Sequence, residues 1–295
     1  MRTKKIVVVL MTLLLVALLF GEAEKNFLWE IEKGDTKVYL MGSIHLMKPE
    51  VYPLTSIIEE AFEESDVLIV EVDATKLDMN SVQKMIMEKG SFQDETTLKS
   101  VLSDEHYKKL SEEFAASGVM TIEMLDKSKP WYVLLNLGVI RIMKLGMDAN
   151  LGIDLHFLNK AKENKEIIEL ETADFQIKLL SGLEDDVQLN LLEESIDDPK
   201  ETADIIGKII KAWQFGDTES IDELIVERVK KVPELNSFYE KMFLERNITM
   251  TGKILEFIQK QDGKTYFVVV GAGHYVGEDG ILNLLEKKGY KAIQR

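Results

Sequence analysis

Two histidines each follow a glycine by three residues, in Gly42-Ser43-Ile44-His45 and in Gly271-Ala272-Gly273-His274, and each motif comes directly after a short apolar run. With 4 His and 18 Gly in 295 residues, chance alone supplies roughly 0.24 such pairs, so two in one context are a signal. Two carboxylates end apolar runs in the same way: Glu71 follows Val67 to Val70, and Glu171 closes the run that begins at Glu166. Two imidazoles and two carboxylates suit a divalent cation or a general acid–base site. Glycines beside them let backbone approach a ligand and turn free amides toward it. The plainer roles are turn caps for His45 and His274, and strand-end carboxylates paired with surface bases for Glu71 and Glu171.

The elements that must position these groups alternate. Lys37 to Gly42 reads as a strand, Pro53 opens a helix with Ile57, Ile58, Ala61 and Phe62 on one face, and Asp66 to Val72 is a second strand, followed by polar helices to about residue 115. The apolar stretch from Trp131 to Met147 is interrupted by Arg141 and Lys144, which predicts a core helix rather than a membrane span. Gly152 precedes a helix carrying Leu155, Leu158 and Ala161, with Asp154 placed to accept from its free backbone donors. Residues 173 to 260 are mostly helical, broken near Pro199 and Pro233, and read as an insertion or cap. Thr265 to His274, a helix over Ile281 to Leu285 and a strand after Gly289 complete the chain.

This order predicts an α/β fold, with α+β as the other arrangement the pattern allows: a central mixed, largely parallel sheet flanked by helices. Ligands bind outside the carboxyl ends of parallel strands, so His45, Glu71, Glu171 and His274 would meet in one crevice.

Composition narrows the setting. Apolar residues at 45% and charged residues at 30% describe a globular body. Arg2, Lys4 and Lys5 before the apolar run Ile6 to Phe20, with Gly21 and Ala23 after it, have the layout of a signal peptide cleaved after Ala23; an uncleaved anchor is the second reading. Either places the body outside the cytoplasm: secreted, periplasmic or held at the cell surface. With no cysteine there are no disulfides and no lipid-attachment site. The formal charge of −16 excludes nucleic acid as a partner and leaves membrane contact only to an uncleaved leader. His106, in a charged helical stretch, reads as a surface residue, and His156 as a packing or capping one.

Gly42 to His45 after a strand, the run Val268 to Gly280, and Glu245-Arg246-Asn247 before it resemble the TraB/GumN/TIKI family. The resemblance covers residues 27 to 295 and implies one domain there. It implies metal-dependent proteolysis, as in the TIKI branch, supported by manganese or cobalt, with His45, His274 and Glu71 as the ligands and Glu171 as a second candidate acid. Arg246 and Asn247 match the family's Arg-Asn pair, which would hold an anionic group or a polarised carbonyl. The family is similar in arrangement to erythromycin esterases and haem-binding ChaN-type proteins, so fold alone does not choose a function. The sequence has neither a His-Glu-x-x-His helix nor a Gly-x-Ser-x-Gly elbow, which disfavours ordinary zincin and serine-hydrolase chemistry.

The expectation is an exported metal-dependent hydrolase of peptides, amides or esters. His45, Glu71 and His274 hold the cation, Glu171 moves a proton, Arg246 meets developing negative charge, and Gly42, Ser43, Gly271, Gly273 and Asn247 contact substrate. The alternative is a non-catalytic protein that captures a peptide signal, small molecule or porphyrin in the same crevice.

Overall fold

A computed structural model describes residues 25–295, apart from the side chains of 200–202; the leader expected at residues 1–23 lies outside this range. Six strands form one sheet: β1 (Leu28–Lys33), β2 (Thr36–Ser43), β3 (Val67–Val70), β4 (Glu166–Glu169), β5 (Thr265–Gly271) and β6 (Ile293–Gln294), in the order β4-β3-β5-β2-β1-β6. β4, β3, β5 and β2 run parallel, and β1 is antiparallel to both β2 and β6. All four residues of β3 and the segment Tyr266 to Val270 of β5 are buried, as expected for parallel strands covered on both faces. The four parallel strands therefore end at one edge, and that edge carries both Gly-x-x-His motifs and both acids.

Helices follow as α1 (Ser56–Glu63), α2 (Met79–Gly90), α3 (Asp104–Ser117), α4 (Pro130–Lys144), α5 (Ile153–Ala161), α6 (Ala173–Ser181), α7 (Asp185–Asp197), α8 (Pro199–Gln214), α9 (Glu245–Gln259) and α10 (Ile281–Lys287). Pro199 starts α8 and Pro233 starts a short 3-10 turn, where a residue without an N–H costs nothing. Between α8 and α9 the chain makes short helical turns, two of them wide π turns at Asp222–Glu227 and Glu240–Leu244. β1 and the antiparallel pairing it supplies are absent from the sequence reading, because Leu28–Lys33 alternates apolar and charged residues over only six positions.

Two hydrophobic cores result. The larger surrounds the sheet, with Phe62, Phe157 and Phe267 packed as a ring cluster. The smaller is purely helical, with Leu110 and Phe114 of α3, Val133, Leu137 and Ile140 of α4, and Leu192 and Ile196 of α7. Helix α4 is not wholly internal, because Leu135, Val139 and Met143 form an exposed apolar stripe four residues apart. Among the described residues no helix is long and apolar enough to cross a membrane.

Arg141, the cation that interrupts the apolar stretch, is buried inside this second core. Its Nε and Nη2 donate to the two oxygens of Glu113 at 2.7 Å each, and Nη1 donates to the carbonyl (2.7 Å) and hydroxyl (2.9 Å) of Ser195. One guanidinium thus joins α3, α4 and α7. Arg141→Met would leave a half-buried carboxylate and a carbonyl without donors, and urea denaturation should show a loss of about 3 kcal/mol. Arg141→Lys should recover little, since an ammonium cannot make the forked pair.

Candidate active site

Strand pairing continues one step past the ends of β3 and β4, where Leu170 N–H donates to the Val70 carbonyl and Glu171 N–H to the Glu71 carbonyl, both at 2.8 Å. The ladder therefore sets Glu71 and Glu171 side by side, and both are buried. Two adjacent buried carboxylates repel, so each demands a compensating charge. Arg246, in the first turn of α9, supplies it: Nε donates to Glu171 Oε1 (2.8 Å), and Nη2 donates to Glu171 Oε2 (2.8 Å) and Glu71 Oε2 (2.7 Å). Gln176 of α6 donates from Nε2 to the same two Oε2 atoms at 3.0 Å each, and the Gly271 N–H donates to Glu71 Oε1 at 2.7 Å. Burial works against the Glu71 charge, but the neighbouring imidazoles, the Arg246 guanidinium and the Gly271 amide together hold its carboxyl down at about 2.

His274 ends a single 3-10 turn, Ala272–His274, directly after β5. Its Nδ1 lies 2.7 Å from Asn247 Oδ1, while Asn247 Nδ2 donates to the Asp279 carbonyl at 2.8 Å. That second bond fixes the amide orientation, so Nδ1 of His274 carries the proton and Nε2 keeps its lone pair. Burial, with the Arg246 charge acting in the same sense, lowers His274 to about 4 against the pull of Glu71, and the ring is neutral near pH 7.

His45 is held from the other side. Met47 and Asp148 exchange backbone hydrogen bonds of 2.9 and 3.1 Å, and Ile153 N–H at the start of α5 donates to the Ile44 carbonyl at 3.1 Å. Gly152 has to be glycine, because a Cβ there would stand 2.3 Å from the His45 carbonyl oxygen. The Asp154 carboxylate, expected to cap α5, instead lies 3.0 Å from His45 Nδ1. With 59% of its side chain exposed, His45 is only partly desolvated; that desolvation opposes the imidazolium, but the hydrogen bond and charge of Asp154, aided by Glu71, raise it to about 9.

Both rings line a cavity of about 620 Å³ together with Ser43, Glu71, Gln176, Arg246, Gly271 and Gly273. A smaller cavity of about 250 Å³ shares Ser43, His45, Glu71 and Gln176 and adds Asp154. Ser43 is 3% exposed, and its hydroxyl has no hydrogen-bond partner among the described residues.

Several expected roles change. Gly42 lines neither cavity; a Cβ there would fall 2.2 Å from the Phe27 ring, and its carbonyl accepts from the Trp213 indole at 2.7 Å, so this glycine serves packing. The Gly271 amide is not free for a ligand, being bound to Glu71. Asn247 orients His274 rather than lining the cavity, and the charge of Arg246 is already matched by two carboxylates. Gln176, Gly152 and the role of Asp154 were not seen in the sequence; only the helix start after Gly152 hinted at the last two. His156 bonds Glu59 at 3.1 Å and packs on Tyr52, while His106 bonds Glu193 and Asp197 at 3.0 and 3.3 Å; neither lines the two cavities.

The two rings supply part of a donor set for a divalent cation, whereas both oxygens of Glu71 already accept hydrogen bonds, Oε1 from Gly271 and Oε2 from Arg246 and Gln176. Nδ1 of each ring is taken by an orienting partner; the neutral His274 keeps a free Nε2, whereas His45, an imidazolium near neutrality, must release a proton before its Nε2 can bind a cation. With His45 neutral, as a ligand must be, the formal charges on Glu71, Glu171 and Asp154 exceed that on Arg246 by two, which favours a cation. Among the described residues, no three His, Cys, Asp or Glu side chains are already gathered as a metal-binding group.

The depressed His274 value makes stability depend on pH. The unfolded chain takes up a proton below about 6.5, whereas the folded chain refuses it until about 4, so stability is lost as pH falls through that window. His45 acts in the opposite sense and in a separate window, contributing fully below about 6.5 and losing that contribution as pH rises to about 9. Denaturant melts at pH 7 and pH 4.5 should differ by up to about 3 kcal/mol more in wild type than in His274→Asn. Equal differences in the two proteins would place the acid sensitivity elsewhere.

YbaP of Escherichia coli strain K12 is 25% identical over 253 residues, covering 85% of this chain and 89% of YbaP. A metalloprotease TIKI homolog of Nematostella vectensis is 22% identical over 317 aligned positions, covering 90% of this chain and 66% of the homolog. Metalloprotease TIKI1 of Xenopus tropicalis is also 22% identical, over 91% of this chain and 61% of its own length. No solved structure matches the chain. Residues 27–294, a span that includes both Gly-x-x-His motifs, match the TraB/PrgY/gumN family, and the chain belongs to that family.

Proposed function

We propose that this protein is a metal-dependent hydrolase that cleaves an amide or ester bond outside the cytoplasm. The observation that carries the reading is the pair of imidazoles in one cavity, each with Nδ1 fixed by a partner, beside an ionised carboxylate; Nε2 of His274 is free, and that of His45 becomes free when a cation displaces its proton. The kinship with proteins named metalloproteases supports the same class, and the leader pattern supports the location.

His45, His274 and Glu71 would hold the ion, with manganese or cobalt the metals that the family resemblance implies. When bound, such an ion supplies Lewis acidity toward a carbonyl and toward water. The chain's own residues do the rest. Asp154 and Asn247 keep the two rings in their tautomers, and Arg246 and Gln176 hold Glu71 and Glu171 against their mutual repulsion. The Ser43 hydroxyl has no partner among the described residues and is free to donate to a substrate oxygen. A second reading, capture of a ligand without turnover, draws on the engagement of both carboxylates by Arg246.

Two measurements separate these readings. Chelator should abolish hydrolysis of peptide and ester libraries, and added manganese or cobalt should restore it; turnover indifferent to chelator and to His45→Ala with His274→Ala would remove the metal reading. Absence of turnover together with ligand-induced thermal stabilisation retained by that double variant would favour capture. Asn247→Ala, which frees the His274 ring without removing a donor, should weaken cation affinity by about 10- to 100-fold in calorimetry. Glu71→Gln should abolish turnover while the circular dichroism of the sheet is retained.

A further inference from the structure

The larger cavity has a polar floor and apolar walls. Its floor consists of Ser43, His45, Glu71, Gln176, Arg246 and His274. Its walls include Leu180 of α6, Ile206 and Ile209 of α8, and Ile225, Met242 and Phe243, and the last three come from the two π turns. These wall segments are helical, so their main-chain donors and acceptors are largely spent inside helices. One recurring way to hold an extended peptide is to add it to an open strand edge, and this cavity meets the sheet only at strand ends. A guest reaching into it therefore meets hydrogen-bonding groups at the floor and aliphatic or aromatic surface beyond. The Ser43 hydroxyl, buried and without a partner, marks where the guest's carbonyl oxygen accepts a hydrogen bond. The volume of about 620 Å³ falls within the range of about 300 to 1,000 Å³ that small-molecule sites occupy.

We propose that the substrate is an ester or amide of a single fatty-acyl chain, with the chain in the larger cavity, its carbonyl at Ser43, and the alcohol or amine part in the smaller cavity. This assignment rests on the hydrolase reading. The oxygen of water joins the acyl carbon, the C–O or C–N bond breaks, and a proton from water passes to the departing oxygen or nitrogen, so the products are a fatty acid and an alcohol or amine. Leu135, which lines the cavity and is 46% exposed, gives the mouth an apolar rim through which the chain end enters.

Binding and turnover are tested separately on the full chain. Straight-chain N-methyl amides of about 6 to about 14 carbons displace a fluorescent dodecanoyl probe in the presence of chelator, and affinity should rise about fourfold per methylene until the cavity is full. Leu180→Trp and Ile206→Trp fill partly exposed wall positions; each should move the optimum to shorter chains and weaken the longest by at least about tenfold, with the thermal transition unchanged. A flat chain-length series, equal displacement in wild type and both variants, or stronger displacement by an apolar peptide would each overturn the acyl assignment. Amides offered as monomers and in zwitterionic vesicles separate a free amphiphile from one drawn from a bilayer; binding in either arm supports the site, and binding in neither refutes it. Tight acyl binding without hydrolysis under any metal would defeat the hydrolase reading while leaving the acyl site standing. Peptide hydrolysis without acyl binding would do the reverse.

Discussion

The ion triad of Arg246 with Glu71 and Glu171 is the constraint on which the rest of the site depends. Parallel pairing of β3 and β4 forces two carboxylates together at the sheet edge, out of water, and no arrangement of neutral groups would tolerate them there. The guanidinium that answers them must come from outside the sheet, which fixes the start of α9 above the strand ends. Because Asn247 is the next residue, the same placement sets the tautomer of His274. Gln176 ties α6 into the same cluster, so sheet and helical cover are joined by buried polar contacts as well as by packing.

The two histidines show how environment separates identical side chains. His274, buried and paired with a neutral amide, is held as an uncharged ring. His45, paired with the Asp154 carboxylate, retains its proton near neutrality. Groups driven apart in this way are those that proton-transfer and ligand chemistry use, and here the difference is made by partners that themselves face away from the cavity or along its edge.

Much of this arrangement was legible in the chain. An apolar run ending at a polar residue is a local pattern, and such runs, read with the rule that parallel strands present their carboxyl ends together, gather His45, Glu71 and His274 around one cavity, with Glu171 joined to Glu71 through Arg246 but outside the lining. What the sequence hides is pairing across distance. Asp154 lies 109 residues from His45 and was read as a helix cap. Arg246 sits in a helix beside Glu245, where an exposed salt bridge is the ordinary expectation, and only the fold shows it buried. Gln176 has no motif at all. The π turns that line the cavity with Ile225 and Phe243 leave no periodic trace, since one extra residue in a turn shifts the apolar phase without a marker residue. Gly42 misled for the opposite reason: its place in a motif suggested a ligand, whereas its missing Cβ makes room for Phe27.

Ser43, His45, Glu71 and Gln176 belong to the linings of both cavities. Whatever occupies one cavity therefore bears on side chains that also meet an occupant of the other, and any energetic influence between the two is equal in both directions.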